Sequence, residues 1–213
     1  MTQVALIDYG SGNLHSAARA LREAASLAGT GHEILVTDTP EDILAADRIV
    51  LPGVGHFAEC ARGLRARHGV EDALNEAVLK QQKPFFGICV GMQLMATAGM
   101  EDGQTPGLAW IKGLVDRIEP GEGYRIPHMG WNGLDILRPH PVLEGLGDDP
   151  HVYFTHSYAM SPDNPADIAA TADYGRPIVA AVARRNMFGT QFHPEKSQRV
   201  GLQILSNFLK WAP

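Results

Sequence analysis

The segment Gly87-Ile88-Cys89-Val90-Gly91 constrains the fold of this chain more than any other. Residues 84–88, Pro-Phe-Phe-Gly-Ile, read as a short buried strand. Residues 91–98, with Met92, Leu94 and Met95 available for packing, read as a helix. A cysteine between the two must sit on a sharp turn, and the glycines on either side relieve the crowding that such a turn forces on its neighbours. This is the spacing of a nucleophile elbow with cysteine as the nucleophile. The thiol then lies at a helix N-terminus, whose partial positive charge favours the thiolate. The Val90 N–H points the same way and is a candidate oxyanion donor.

A base and an acid stand about a hundred residues later, in His193-Pro194-Glu195. The proline pushes His193 to extended geometry, and side chains two apart in extended chain share a face. Glu195 can therefore accept from the Nδ1–H of His193, leaving Nε2 free to take the proton of Cys89. The simpler alternative, a histidine and a glutamate on a solvated loop, loses ground because the elbow is in the same chain. Cys89, His193 and Glu195 together can run acyl transfer through a thioester.

Two other loops follow apolar runs. Pro52-Gly53-Val54-Gly55 has glycines that let backbone approach a ligand closely. Gly53 is a candidate substrate contact, and an N–H of Val54 or Gly55 is a candidate second oxyanion donor. Tyr9-Gly10-Ser11-Gly12-Asn13 invites comparison with a dinucleotide-binding turn, but position 15 is His15 where that fingerprint needs its third glycine. A turn with an exposed polar surface fits better. The nine histidines show no metal-binding spacing, so no metal is expected.

Strand and helix alternate through the first half. Apolar runs at 4–7, 34–36, 48–51 and 84–88 alternate with helical patterns at 14–28, 40–45, 57–67 and 70–82. This predicts a mostly parallel open α/β sheet with helices on both faces. Between residues 106 and 165 glycines and prolines are dense, which predicts a smaller antiparallel region with long loops. Residues 178–184 and 188–192 read as a hairpin that delivers His193, and residues 198–211 as a closing amphipathic helix. With no repeat and no low-complexity linker, residues 1–213 read as one domain.

The charge balance, eighteen basic against twenty-four acidic residues, leaves no basic field for nucleic acid or an anionic membrane. The longest uncharged stretch, residues 84–100, falls short of the roughly 20 residues a membrane span needs. Two cysteines make no disulfide framework; Cys60 reads as structural, and a nucleophilic Cys89 must stay reduced, which suits the cytoplasm.

Gly-Ile-Cys-Val-Gly-Met-Gln at 87–93, the loop at 52–55 and Phe-His-Pro-Glu at 192–195 resemble the class I, triad-type glutamine amidotransferases. Residues 8–14, 127–132 and 156–158, with Pro-Glu-Lys-Ser at 194–197, are similar to the glutaminase subunits of imidazole glycerol phosphate synthase, from histidine biosynthesis. The resemblance spans nearly the whole chain and implies a flavodoxin-like sheet and no cofactor. It implies that Cys89 attacks the side-chain amide of glutamine and that ammonia leaves. Water activated by His193 then hydrolyses the thioester, while Glu195 orients the imidazole. Gln93 and the Ser157-Tyr158 backbone would hold the far end of glutamine. Ammonia would pass to a (β/α)-barrel cyclase subunit, the partner in a heterodimer, which converts the ribulosyl intermediate PRFAR to imidazole glycerol phosphate and AICAR. Ammonia released into water is protonated, so a closed path to the partner is needed. Asn13, Met129, Trp131, Asn132 and Lys196 are the candidate interface residues.

One departure stands out: relatives often carry a second tyrosine after His-Ser-Tyr, and this chain has Ala159, which leaves the pocket or interface expected to be looser there. A glutaminase for another synthase is disfavoured by the loops at 8–14 and 127–132. A silent regulatory subunit is disfavoured by the complete Cys89, His193 and Glu195 set; a cysteine peptidase or esterase unrelated to papain is the remaining alternative, separated by whether glutamate is released from glutamine.

Overall fold

The apolar runs at residues 4–7, 48–51 and 85–88 become adjacent strands with almost no solvent contact. The computed structural model describes residues 2–213. In chain order, the first half forms β1 (Gln3–Ile7), α1 (Leu14–Ala28), β2 (Glu33–Thr37), α2 (Pro40–Ala45) and β3 (Arg48–Leu51). Next come α3 (Phe57–Ala66), α4 (Val70–Asn75), β4 (Phe85–Ile88) and α5 (Val90–Gln93). Seven short strands follow: β5 (Ala98–Gly99), β6 (Thr105–Pro106), β7 (Gly113–Arg117), β8 (His128–Gly133), β9 (Asp135–Ile136), β10 (His151–His156) and β11 (Tyr158–Pro162). The chain closes with β12 (Ile168–Asp173), β13 (Pro177–Arg184), β14 (Met187–Thr190) and α6 (Gln198–Lys210).

The main sheet has the order β2-β1-β3-β4-β14-β13-β12-β9. β2 through β14 run parallel, and β13, β12 and β9 extend the sheet in antiparallel pairing. Strands buried along their whole length need cover on both faces. One contiguous hydrophobic core runs from Val4 to Trp211. α1 packs on α6, while α2 and α3 pack on α4. In sheets of this kind ligands bind beyond the carboxyl ends of the parallel strands. The loops after β1, β3, β4 and β14 carry Tyr9–Asn13, Pro52–Gly55, Cys89 and His193, so the topology gathers these four motifs at one edge.

The predicted helix over 91–98 is much shorter. α5 ends at Gln93, and the next carbonyls are captured from outside: Leu94 O accepts from Leu108 N at 2.7 Å, Met95 O from Trp110 N at 2.9 Å and Ala96 O from Ala109 N at 2.9 Å. Those bonds tie the elbow to the segment after β6 at the expense of further helical turns. The helix predicted over 70–82 continues past α4 as a widened π turn, Glu76–Lys80. The smaller region is not wholly antiparallel, because β5 and β7 pair in parallel within the sheet β11-β7-β5-β6. β8 and β10 form a separate antiparallel pair.

Close approach at the elbow requires glycine. A Cβ on Gly91 would run into the Leu51 carbonyl, and one on Gly87 would meet Gly91 O and Met92 N at 2.8 Å. Backbone cannot yield as a side-chain tip can. Gly91→Ala is expected to destabilise the protein by about 3 kcal/mol or more. Denaturant unfolding checks this, and a Gly91→Ala midpoint equal to wild type would contradict the packing described.

Candidate active site

Cys89 sits between β4 and α5 with φ 52° and ψ −111°. For a residue with a Cβ this is strained backbone, sustained by its surroundings. Its N–H donates to Thr190 O at 2.7 Å, which fastens the turn to the end of β14. With only a four-residue helix behind it, the helix dipole expected to favour the thiolate is weak. Support for a thiolate falls to the side chains around it.

His193 and Glu195 meet as expected. His193 Nδ1 lies 2.8 Å from Glu195 Oε1, and the two side chains are only 1% and 3% exposed. A carboxylate accepts, so Nδ1 carries a proton and Nε2 is the nitrogen left to exchange one with Cys89. Nε2 is buried without a hydrogen-bond partner, one of four such side-chain atoms among the described residues. Glu195 Oε2 is another, so half of these orphans belong to one pair of residues. Each such orphan in a native structure calls for an explanation, and a catalytic role is one. The backbone here is fixed by Ser197, whose Oγ donates to His193 O at 2.6 Å and accepts from Tyr153 N at 3.0 Å. Burial alone would lower the His193 pKa, but Cys89 and Glu195 outweigh it and push it up to about 10. That favours the protonated imidazole across neutral pH.

The expected oxyanion donors are differently engaged. Val90 N–H donates to Gly53 O at 3.3 Å, and Val54 N–H donates to Ser11 Oγ at 3.4 Å. Neither is aimed at a substrate oxygen in this conformation. The cause lies in the 52–55 loop, whose neighbouring peptides are firmly anchored. Pro52 O accepts from Tyr9 Oη at 2.7 Å, and Val54 O accepts from Ser11 Oγ at 2.8 Å and from Cys60 Sγ at 3.4 Å. Tyr9 is buried, contrary to the exposed polar turn expected at 9–13. Burial pushes both the Tyr9 hydroxyl and the Cys60 thiol up, so both stay protonated donors. The peptide between Gly53 and Val54 is held only by the two long bonds. Gly53 fits where a Cβ would meet Gly91 N and Tyr9 Oη at 2.7 Å, and Gly55 has φ 92°.

A cavity of about 530 Å³ opens over Cys89. Its lining includes Cys89, Val90, Gln93, His193, Val54, Gly55, Ser157 and Tyr158 from the expected site, together with Asn13 and Lys196; Gly53, also expected there, does not line it. Gln93 Nε2 donates to Tyr158 O at 2.9 Å and to Gln191 Oε1 at 3.0 Å. Both amide hydrogens are thereby spent, which leaves the Gln93 oxygen for a ligand. The carbonyls of Ser157 and Tyr158 are also committed, to Ile118 N at 2.9 Å and to Gln93 and His156. Gln191 was not apparent from the sequence. It is wholly buried, and its Nε2 donates to Cys89 Sγ at 3.6 Å. Its place two residues before His193, on the same face of an extended segment, was the available signal.

Residues 5–211 match the family described as glutamine amidotransferase class-I. The chain belongs to that family. It is 55% identical to the imidazole glycerol phosphate synthase subunit HisH of Bradyrhizobium diazoefficiens, over 99% of each chain. It is 54% identical to the protein of the same name from Caulobacter vibrioides, over the full length of both. Among solved structures, one described as a glutamine amidotransferase matches with a TM-score of 0.69 at 19% identity, covering 97% of this chain and 99% of that one. A glutamine amidotransferase from Thermotoga maritima matches at 0.62 with 20% identity, covering 93% of this chain and 78% of that one. These two matches establish the fold.

In this amidotransferase β8 alternates cleanly. Met129 and Trp131 point outward, 62% and 48% exposed, beside Tyr153 of β10. Lys196 lies over the Tyr153 ring at 5.8 Å. Asn132, expected at the interface, points the other way and is spent internally. Its Nδ2 donates to Asp173 O at 2.7 Å and lies 3.2 Å from His128 Nε2, while its Oδ1 accepts from Gly133 N at 2.8 Å. Ala159 does not line the cavity over Cys89. It packs with Ile118 and Ile178 and borders a separate cavity between β7, β11 and β13, so its small side chain leaves the substrate pocket unchanged. Among the described residues no helix is long and apolar enough to cross a membrane.

The buried pair His128 and His156 has a fixed proton arrangement. Tyr158 O takes the Nδ1–H of His156 at 3.0 Å, His156 Nε2 accepts from His128 Nδ1 at 3.0 Å, and His128 Nε2 accepts from Asn132. Burial lowers His128 to about 4 and His156 to about 3. His156, a conceivable alternative base, thus has both nitrogens engaged. Both histidines stay neutral in the folded state while an unfolded one takes a proton near 6.5, so they support the fold above that pH and lose this support toward pH 4. Their ring resonances are expected to be flat between about pH 5 and 8. A midpoint near 6.5 for either ring in the folded protein would contradict the network.

Proposed function

We propose that this chain is the glutaminase subunit of an imidazole glycerol phosphate synthase, working as one domain beside a (β/α)-barrel cyclase. The full-length relatives named for that synthase support the pathway. The observation that carries the chemistry is the His193 imidazole, tied at Nδ1 to Glu195 and open at Nε2, next to a cysteine on a strained elbow.

Glutamine enters the cavity with its α-ammonium on the free oxygen of Gln93 and its side-chain amide over Cys89. The thiolate attacks the amide carbon, and the carbonyl oxygen takes the negative charge. The tetrahedral adduct collapses as His193 Nε2 gives its proton to the departing nitrogen, releasing ammonia and leaving a glutamyl thioester. Neutral His193 then takes a proton from water, which attacks the thioester and frees glutamate and Cys89. Glu195 stabilises the imidazolium in both stages. Asn13 and Lys196 line the cavity, and the exposed Met129 and Trp131 of β8 suit a partner surface, because exposed aromatic and thioether side chains anchor interfaces. Ammonia passed directly to the cyclase avoids bulk water. A reduced Cys89 suits the cytoplasm.

The oxyanion needs donors, and one rotation supplies two. Turning the Gly53–Val54 peptide over removes Gly53 O from Val90 N–H and swings Val54 N–H toward the same point. Two long hydrogen bonds oppose this rotation, so a modest bias from a bound partner can shift it. Each oxyanion donor contributes roughly 10²–10³-fold in rate. Glutamate release by the isolated chain is therefore expected to be slow. It should rise by a factor of that order or more once the cyclase and its nucleotide ligand are added. Fast release by the chain alone would contradict the reading.

Cys89→Ala is expected to abolish glutamine-dependent turnover while the complex still works with added ammonium salt. His193→Ala is expected to lose roughly 10⁴-fold or more in glutaminase kcat. Glutamine-dependent turnover that survives in Cys89→Ala would sink the mechanism.

A further inference from the structure

Gln191 is a wholly buried polar side chain that the triad chemistry does not use. Its backbone is pinned, with its N–H donating to Ala180 O at 2.9 Å on β13. Its Nε2 donates to Cys89 Sγ at 3.6 Å, and its Oε1 accepts from Gln93 Nε2. A carbonyl only accepts, so Tyr158 O fixes which end of the Gln93 amide is nitrogen. Gln93 nitrogen in turn fixes Gln191 with its oxygen toward Gln93 and its nitrogen toward sulfur.

We infer that Gln191 is a further catalytic residue, whose amide N–H holds the Cys89 thiolate in position for attack and ties it to the substrate contact Gln93. This rests on the glutaminase reading of Cys89. An N–H donated to a charged sulfur is stronger than one donated to a neutral thiol, so the contact favours the thiolate. It also favours the departing thiolate when the thioester breaks. The short α5 leaves room for such a role, because one helical turn supplies little of the charge stabilisation the elbow needs. Gln93 links the two ends: a ligand on its oxygen polarises the same amide whose nitrogen holds Gln191.

The titratable groups facing Cys89 are His193 from the turn after β14, Tyr9 from the loop after β1 and Cys60 from α3. His156, Glu101 and Lys196 border the same cavity, and Glu195 stands behind His193. All of them are common to wild type and to a Gln191 variant, so a difference between the two isolates the amide.

The test is the rate of Cys89 alkylation by iodoacetamide against pH in the full chain, with Cys89→Ala as the blank for Cys60. In Gln191→Met, which keeps length but has no donor, the alkylation midpoint is expected to move up by about one pH unit. Glutaminase kcat in the cyclase complex is expected to fall about tenfold at neutral pH, with ammonium-dependent turnover unchanged. If Gln191→Met fails to fold, Gln191→Glu retains the acceptor for Gln93 and places an oxygen against sulfur; its midpoint is expected to rise at least as far. A folded variant whose alkylation profile superimposes on wild type overturns the proposal. The alkylation readout needs no glutamine turnover, so it is independent of the glutaminase reading, which would fail separately if the wild-type complex released no glutamate.

Discussion

The close contact of α5 with the end of β3 underlies the rest of the site. Gly91 lets the first turn of α5 lie against the Leu51 carbonyl, and Gly87 lets Met92 pass over β4. Only with that approach does the chain turn sharply enough to hold Cys89 at positive φ. The strain is offset by the surrounding core, since Phe85, Phe86, Met92 and Met95 are fully buried. The parallel sheet then sets everything else by register. β14 lies beside β4, with Thr190 opposite Ile88, so the residues that follow each strand emerge side by side. Gln191 and His193 reach Cys89 from the neighbouring strand without any long loop.

A second layer of order is polar. Tyr158 O accepts from both Gln93 and His156, and from it one line of hydrogen bonds leads through Gln191 to Cys89 while another leads through His128 to Asn132. Each member has its donor and acceptor roles fixed by a carbonyl at one end, and buried networks that are fully satisfied hold a single geometry. In contrast, the Gly53–Val54 peptide is held by its weakest bonds at the point where the chemistry needs movement. The site combines a rigid nucleophile with a loosely held oxyanion loop.

Much of this was legible in the sequence. The elbow, the His-x-Glu pair and the alternation of strand and helix are local patterns; His193 and Glu195 pair as their spacing implies, and Cys89 and His193 line one cavity. What escaped was set by distant contacts. The helix after the elbow stops early because the 108–110 segment takes its carbonyls, and no pattern in 91–98 announces that. Asn132 reads as a partner contact by its neighbours Met129 and Trp131, yet strand alternation turns it inward to His128. Gln191 lies inside an apolar hairpin segment and shows its meaning only when β4 is alongside. The orientation of the 52–55 peptides depends on Tyr9, Ser11 and Cys60, forty or so residues away or on another element, so the engaged state of Val90 N–H could not be read from the glycines.

The account stands or falls on a covalent intermediate at Cys89. The direct measurement is mass spectrometry of the complex quenched in acid during glutamine turnover. The account predicts a population carrying one glutamyl group on the peptide that contains Cys89, absent from Cys89→Ala. No adduct during active turnover, or an adduct confined to Cys60, would contradict it.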